Sequence, residues 1–259
     1  MDVRSFPIGL ALMAALVAGA GSAQAATFAG RDVSLVGSAS VLENGDLQLT
    51  PAAGDLAGAA WDTTPLSTAA SFSTTFTFSL AASDFDPMAD GFAFVLQGAG
   101  TSALGSGGGT IGLDGLDAVA LVVQTWDNNR VGLVTDANPF NAALVGYGIG
   151  SSRLITGTST VSYDADAQVL SATGSLTFDT DLSDADPGTL VSFNESVSVD
   201  LAARFGAQMY AGFTAGTGLS YADQRITSWG AAAPVPEPET YALLVAGLGL
   251  LGLARHRRR

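Results

Sequence analysis

The side chains able to do chemistry in this sequence are mostly carboxylates. Asp90 stands in Ala89-Asp90-Gly91, between two apolar runs. Two further groups alternate their acids: Asp84-x-Asp86 ahead of Asp90, and Asp179-x-Asp181-x-x-Asp184-x-Asp186. Spaced carboxylates can bind calcium, which takes roughly six to eight oxygens. Neither group carries the closing Glu of a full calcium loop, and solvated turns explain both simply. Glycoside hydrolysis needs two carboxyl groups across a cleft, roughly 5 to 10 Å apart. Glu43 and Glu195 lie far apart in sequence, both in turn-like contexts, and no strand presents two inward acids. There is no Cys and no Lys, and the one His, His256, lies near the C-terminal end. A His base, a Ser-His pair, a Cys nucleophile and a Cys- or His-ligated zinc are therefore excluded from the body of the chain. Gly105 to Gly109 lacks the Lys of a phosphate loop. The chain reads as not an enzyme.

The 259 residues carry ten basic and 24 acidic side chains, for a formal net charge of -14. So acidic a chain is a poor partner for nucleic acid. Its 47% apolar and 13% charged content is that of a globular chain, and its 32 glycines favour turns.

Both ends read as addresses. Arg4, the apolar stretch Ile8 to Ala18, and Ala23-Gln24-Ala25 form a signal peptide over 1–25, for cleavage by signal peptidase. At the other end, Val235-Pro236-Glu237-Pro238-Glu239 precedes the apolar run Tyr241 to Ala254 and the basic close Arg255-His256-Arg257-Arg258-Arg259. The run is short for a membrane span, and the arginines would stay cytoplasmic. Between these ends, 26–233 is one domain. It keeps five arginines against 21 acids, near −16.

Within that domain the hydrophobic period is mostly two. Phe72, Thr74, Phe76, Phe78 and Leu80 share one face of a strand, with Ser and Thr on the other. Phe92, Phe94 and Leu96 repeat the pattern, as do Val161 with Tyr163, Leu176 with Phe178, and Val197, Val199 and Leu201. Val119 to Val123 is continuously apolar, as for a strand buried on both faces. Leu201 to Phe205 could form a single helical turn. Many short strands with turn signals imply an all-β sandwich or jelly roll, flanked by an N-terminal signal helix and a C-terminal hydrophobic helix.

The order of segments resembles legume-type (L-type) lectins. The segments are Gly45-Asp46-Leu47-Gln48-Leu49-Thr50, Gly58-Ala59-Ala60-Trp61 and Ser71 to Phe78. Ala89-Asp90-Gly91-Phe92-Ala93-Phe94, Gly108 to Leu113 and Val119 to Asn128 follow. Gly212-Phe213-Thr214-Ala215-Gly216-Thr217-Gly218 and Ile226-Thr227-Ser228-Trp229 close the series. The resemblance implies a concanavalin-like jelly roll of two antiparallel sheets. It also implies a sugar site with Asp90 as carboxylate after a cis Ala89–Asp90 peptide, Gly109 as backbone N–H donor and Asn128 as amide. The loop Leu219 to Gln224 would set specificity, where Tyr221 could stack on a ring or simply lie exposed. The family's metal site departs here. Val122 and Gln124 stand where its carboxylates belong, so the calcium and transition-metal pair is expected to be lost, leaving no cofactor. A rearranged calcium site using Asp127 and Asp136 is conceivable.

The tail, 234–259, resembles the PEP-CTERM sorting signal of Gram-negative envelope proteins. That implies export, transient anchoring of the tail in the inner membrane, and processing by an exosortase. The combined expectation is an exported, non-catalytic carbohydrate-binding protein of the envelope or exopolysaccharide. The rival is a structural or adhesive matrix protein with the same fold and no working sugar site.

Overall fold

Alternation along one strand explains how the core is built. Phe72, Thr74, Phe76, Phe78 and Leu80 are buried, while the residues between them stay at least partly exposed. Successive side chains of a strand point to opposite faces, so one face enters the core and the other meets water. A computed structural model of the protein describes residues 23–82, 88–126, 130–143, 153–179, 189–230 and 233–234. The expected signal helix and C-terminal hydrophobic helix lie outside the described residues.

Among the described residues, sixteen strands form two antiparallel sheets. The first sheet takes β1 (Gln24–Phe28), β2 (Arg31–Gly37), β5 (Ala57–Asp62), β8 (Gly91–Gln97), β9 (Ala118–Gln124), β10 (Arg130–Val134) and β14 (Gln208–Gly216), with β6 (Leu66–Ser67) on β14. The second takes β3 (Ser40–Val41), β4 (Leu47–Thr50), β7 (Phe72–Ala82), β11 (Leu154–Asp164), β12 (Val169–Asp179), β13 (Thr189–Ser198) and β15 (Ala222–Trp229), with β16 (Ala233–Pro234) on β7. The first runs β1-β2-β5-β14-β8-β9-β10, and the second β13-β12-β11-β7-β15-β4-β3. The one α-helix among the described residues, α1 (Leu201–Phe205), is a short turn capped by Asp200, whose carboxylate accepts from Ala203 N–H. The first strand begins two residues ahead of the expected domain start.

Between the sheets lies an aromatic cluster. The Phe76 ring packs 5.0 Å from Phe213 and 5.5 Å from Phe94, centroid to centroid. Trp229 lies 4.9 Å from Phe213 and donates Nε1–H to Thr74 Oγ1. A second core sits on the outer face of the first sheet, where Trp61, Val95, Ala120 and Val122 are covered by Ile111 and Leu113. The connection 98–117 thus folds back over the sheet, and Trp61 Nε1 donates to Ala103 O at 2.8 Å. This explains the unbroken burial of β8 and β9, which are covered on both faces.

Glu195 corrects the sequence reading. It lies inside β13, not in a turn, and its carboxylate reaches the opposite sheet to accept Leu133 N–H at 2.8 Å.

The outer face of the second sheet is different in kind. Ser73, Thr75, Thr77 and Ser79 of β7 pair in register with Ser162, Thr160, Thr158 and Thr156 of β11. These pair in turn with Ser171, Thr173, Ser175 and Thr177 of β12. On the edge strand β13 the rungs end in Ser196, Asn194, Ser192 and Leu190.

Candidate functional site

Asp90 lies at the entrance to β8, in the connection that crosses from the β7 side. The Ala89–Asp90 peptide is cis. Asp90 N–H donates to Gly216 O at 3.1 Å, and Asp90 O accepts Thr125 N–H at 2.9 Å. The residue is therefore tied to the ends of β14 and β9 at once. Gly91 follows with φ +125°, and a Cβ there would stand 2.2 Å from Val123 O. Only glycine lets β8 approach β9 this closely directly after Asp90.

The Asp90 side chain is 5% exposed, and its Oδ2 has no hydrogen-bond partner in the protein. Burial pushes its pKa up to about 6, and the Gly218 backbone N–H partly opposes this. Desolvation disfavours the charged form of a carboxyl group, and a donor to it restores that form. Gly218 lies against the same carboxylate and is followed by Leu219, which is 94% exposed.

Gly109 enters from the other side, on the short 3-10 turn Gly108–Thr110. Its neighbour Gly108 donates N–H to Thr217 O at 3.0 Å, which joins this turn to the Gly218 loop. A side chain at Gly109 would meet the Phe140 ring, with the nearest carbon 3.0 Å away. Phe140 and Trp126 are both large exposed apolar side chains. Asp90, Gly109, Gly218 and the start of the Trp126 loop thus converge at one end of the first sheet. Asn128 and Asp127 lie outside the described residues. Tyr221 is half-buried and packs beside Gly54, in the turn that holds Gly218 O through Asp55 N–H.

Gln124 ties this arrangement together. It is buried, and its Nε2 donates to Gly109 O at 2.7 Å. Arg130 faces it across the β9–β10 pair and donates to Ala142 O. Val122 is fully buried in the second core. Asp136 spends one oxygen on Asn138 N–H and the other on Asn141 Nδ2, so its carboxylate closes its own turn. Gln124→Leu is expected to lower stability by about 1 kcal/mol, since it strips Gly109 O of its partner while also removing an unpaired amide oxygen. Urea denaturation measures this.

Gly218 and Gln124 are the residues that sequence reasoning did not place in the sugar site; Leu219, expected in the specificity loop, stands exposed directly after Gly218. The only signal for Gly218 is its position at the end of the Gly212–Gly218 segment.

Comparison with known proteins decides the family. Residues 24–240 match the legume lectin domain. The chain belongs to the legume lectin family. The lectin domain also resembles solved lectin structures. The lectin of Bauhinia forficata in complex with GalNAc is 26% identical, with a TM-score of 0.62 over 80% of this chain and 96% of that one. Arcelin-5, a lectin-like defense protein from Phaseolus vulgaris, is 22% identical, with a TM-score of 0.61 over 76% and 90%. Lectin I-B4 of Griffonia simplicifolia in a metal-free form is 23% identical, with a TM-score of 0.59 over 76% and 91%. The last two likenesses establish the lectin fold alone. No curated protein matches the sequence. Beyond the lectin domain, residues 234–259 match the PEP-CTERM protein-sorting motif.

Proposed function

We propose that this lectin-family protein is exported and binds a glycan, without catalysis and without a metal ion, in the recess around Asp90. The observation that carries the reading is the Asp90 carboxylate, buried yet holding one oxygen with no protein donor. A buried acceptor without a donor is costly. A sugar hydroxyl supplies that donor, and Gly109 N–H and Asn128 are the proposed partners for neighbouring hydroxyls. Trp126, Phe140 and Leu219 stand exposed around this end of the sheet and offer apolar contact to the C–H faces of a sugar ring. Tyr221 is proposed to shape the same loop, from its position beside Gly54.

The residues at the family's metal positions do not suit a cation. Val122 has no ligating side-chain atom, and Gln124 replaces a carboxylate with one neutral amide oxygen, its Nε2 being held by Gly109 O. Arg130 stands opposite Gln124 in the β9–β10 register, with its guanidinium donating to Ala142 O, and the Asp136 carboxylate is consumed by its own turn. Hydrogen bonds here take over the ordering role that a cation plays elsewhere in the family. Export rests on the tail, whose match to the sorting motif supports processing by an exosortase and delivery to the envelope or its exopolysaccharide.

A glycan array with the full chain, with calcium and then with chelator, tests this. GalNAc, the ligand of the Bauhinia forficata lectin, is the first sugar to examine. Binding that is unchanged by chelator is the expected result. Loss of binding in chelator would overturn metal independence. No binding to any glycan at millimolar concentration would favour a structural matrix protein.

A further inference from the structure

We propose that the outer face of the second sheet is a second binding surface, for a neutral polysaccharide chain. Across β7, β11, β12 and β13 its four rungs carry Ser and Thr, ending in Asn194 and Leu190 on two of them, with no charged side chain until the Ser79 rung meets Arg225 on β15, although the domain as a whole is strongly acidic. The array is regular. Neighbouring strands stand about 4.8 Å apart and same-face residues about 6.8 Å apart along a strand. A periodic surface suits a periodic ligand. Over the Thr77 and Ser79 rungs is a depression of about 330 Å³, with Thr77, Ser79, Thr156, Thr158, Ser175 and Thr177 in its lining. At its β15 edge a bulge presents both Thr227 and Ser228 to Thr77, at 2.7 and 2.6 Å.

The chemistry selects the occupant. Each Thr shows a hydroxyl, donor and acceptor at once, beside a methyl group. A sugar shows the same mixture of hydroxyls and C–H surface. An anionic polymer needs cations, and the flanking Arg225 is committed to Asp223 and Asp46. A membrane needs apolar side chains, and on these rungs only Leu190 is large and exposed. A second copy of the chain would bury few aromatic or aliphatic groups here, which leaves little to drive association. A neutral polyhydroxyl chain needs neither charge nor a large apolar patch. This surface does not depend on the Asp90 recess.

Native gels cast with dextran, with hydroxyethylcellulose and with alginate test the proposal, using the full chain and gels without polymer as reference. The expected result is retardation of at least twofold in one of the neutral polymers and none in alginate. Retardation is lost in Thr158→Lys/Ser175→Lys, kept in the conservative Thr158→Ser/Ser175→Thr, and kept in Asp90→Ala. Thr173→Lys, on the adjacent rung, gives the same readout should the double lysine variant not fold. The proposal is overturned if no neutral polymer retards the wild type, if the lysine variants migrate like it, or if Asp90→Ala alone removes the effect. It is also overturned if the wild type is a dimer by light scattering and the lysine variants are monomers, which would assign the face to a second copy.

Discussion

Asp90→Ala abolishes measurable glycan binding, and Asp90→Asn weakens it by about tenfold to a hundredfold. That range follows from hydrogen bonds to a charged group, worth about 1.5–3 kcal/mol each, at about 1.4 kcal/mol per factor of ten. Titration calorimetry with the best glycan of the array is the measurement. The raised pKa of Asp90, about 6, adds a pH signature. An ionised carboxylate is the stronger acceptor for the sugar hydroxyl, so affinity falls as pH drops through about 6. Stability moves the other way. The native state holds the Asp90 proton more tightly than the unfolded chain, whose value is near 3.8. Between those two values the native state binds more protons, so this group's contribution to stability falls as pH rises through the window. Above about 6 its full cost is present. Asp90→Asn removes that titration, so its stability advantage over the wild type grows from pH 4 to pH 6 and then levels off. Urea denaturation at pH 4, 5, 6 and 7 reads this directly. An affinity that is flat across the same range would separate Asp90 from binding.

These opposed effects bear on what the sequence makes legible. Period-two alternation sufficed to place Phe72 to Leu80 in a strand, and the unbroken run Val119 to Val123 sufficed for burial on both faces. What covers the outer face of β9 was not readable. The cover is the Gly-rich connection 98–117, which has no period, and its path is fixed by contacts such as Trp61 with Ala103 O. The site divides similarly. Asp90 and Gly109 were visible because their neighbours resemble a family pattern. Gln124 was visible only as a lost carboxylate. Its role as donor to Gly109 O needs the fold, because the two residues are fifteen apart in the chain and meet only where the Gly108–Thr110 turn folds back against the end of β9. Gly218 was missed for a related reason: its place beside Asp90 comes from the end of β14 and the turn at Gly54. Glu195 was misread because β13 is an edge strand with Ser, Asn and Ser around it. A polar stretch reads as a turn when only Val191, Phe193 and Val197 mark its inner face.

Phe76→Ala is the substitution with the largest expected cost to the fold, about 3–5 kcal/mol. Phe76 is fully buried, and its ring touches Phe92, Phe94 and Phe213 from the opposite sheet and Phe78 from its own strand. Four aromatic neighbours cannot all close on the space that an Ala would leave, so a cavity term adds to the lost burial. A domain of this size commonly has only about 5–15 kcal/mol of stability, so this change removes a large part of it. The neighbouring Thr75→Ala, on the exposed face of the same strand, stays within about 0.5 kcal/mol. The midpoint and slope of urea unfolding report both. Phe76→Ala and Asp90→Asn together separate packing from recognition. Phe92, in contact with Phe76, lies two residues after Asp90, so loosening the core reaches the entrance of β8. Phe76→Ala therefore loses binding together with stability. Asp90→Asn weakens binding while gaining stability at neutral pH. Only a recess whose carboxylate is kept for a ligand, at the expense of the fold, gives that pair of results.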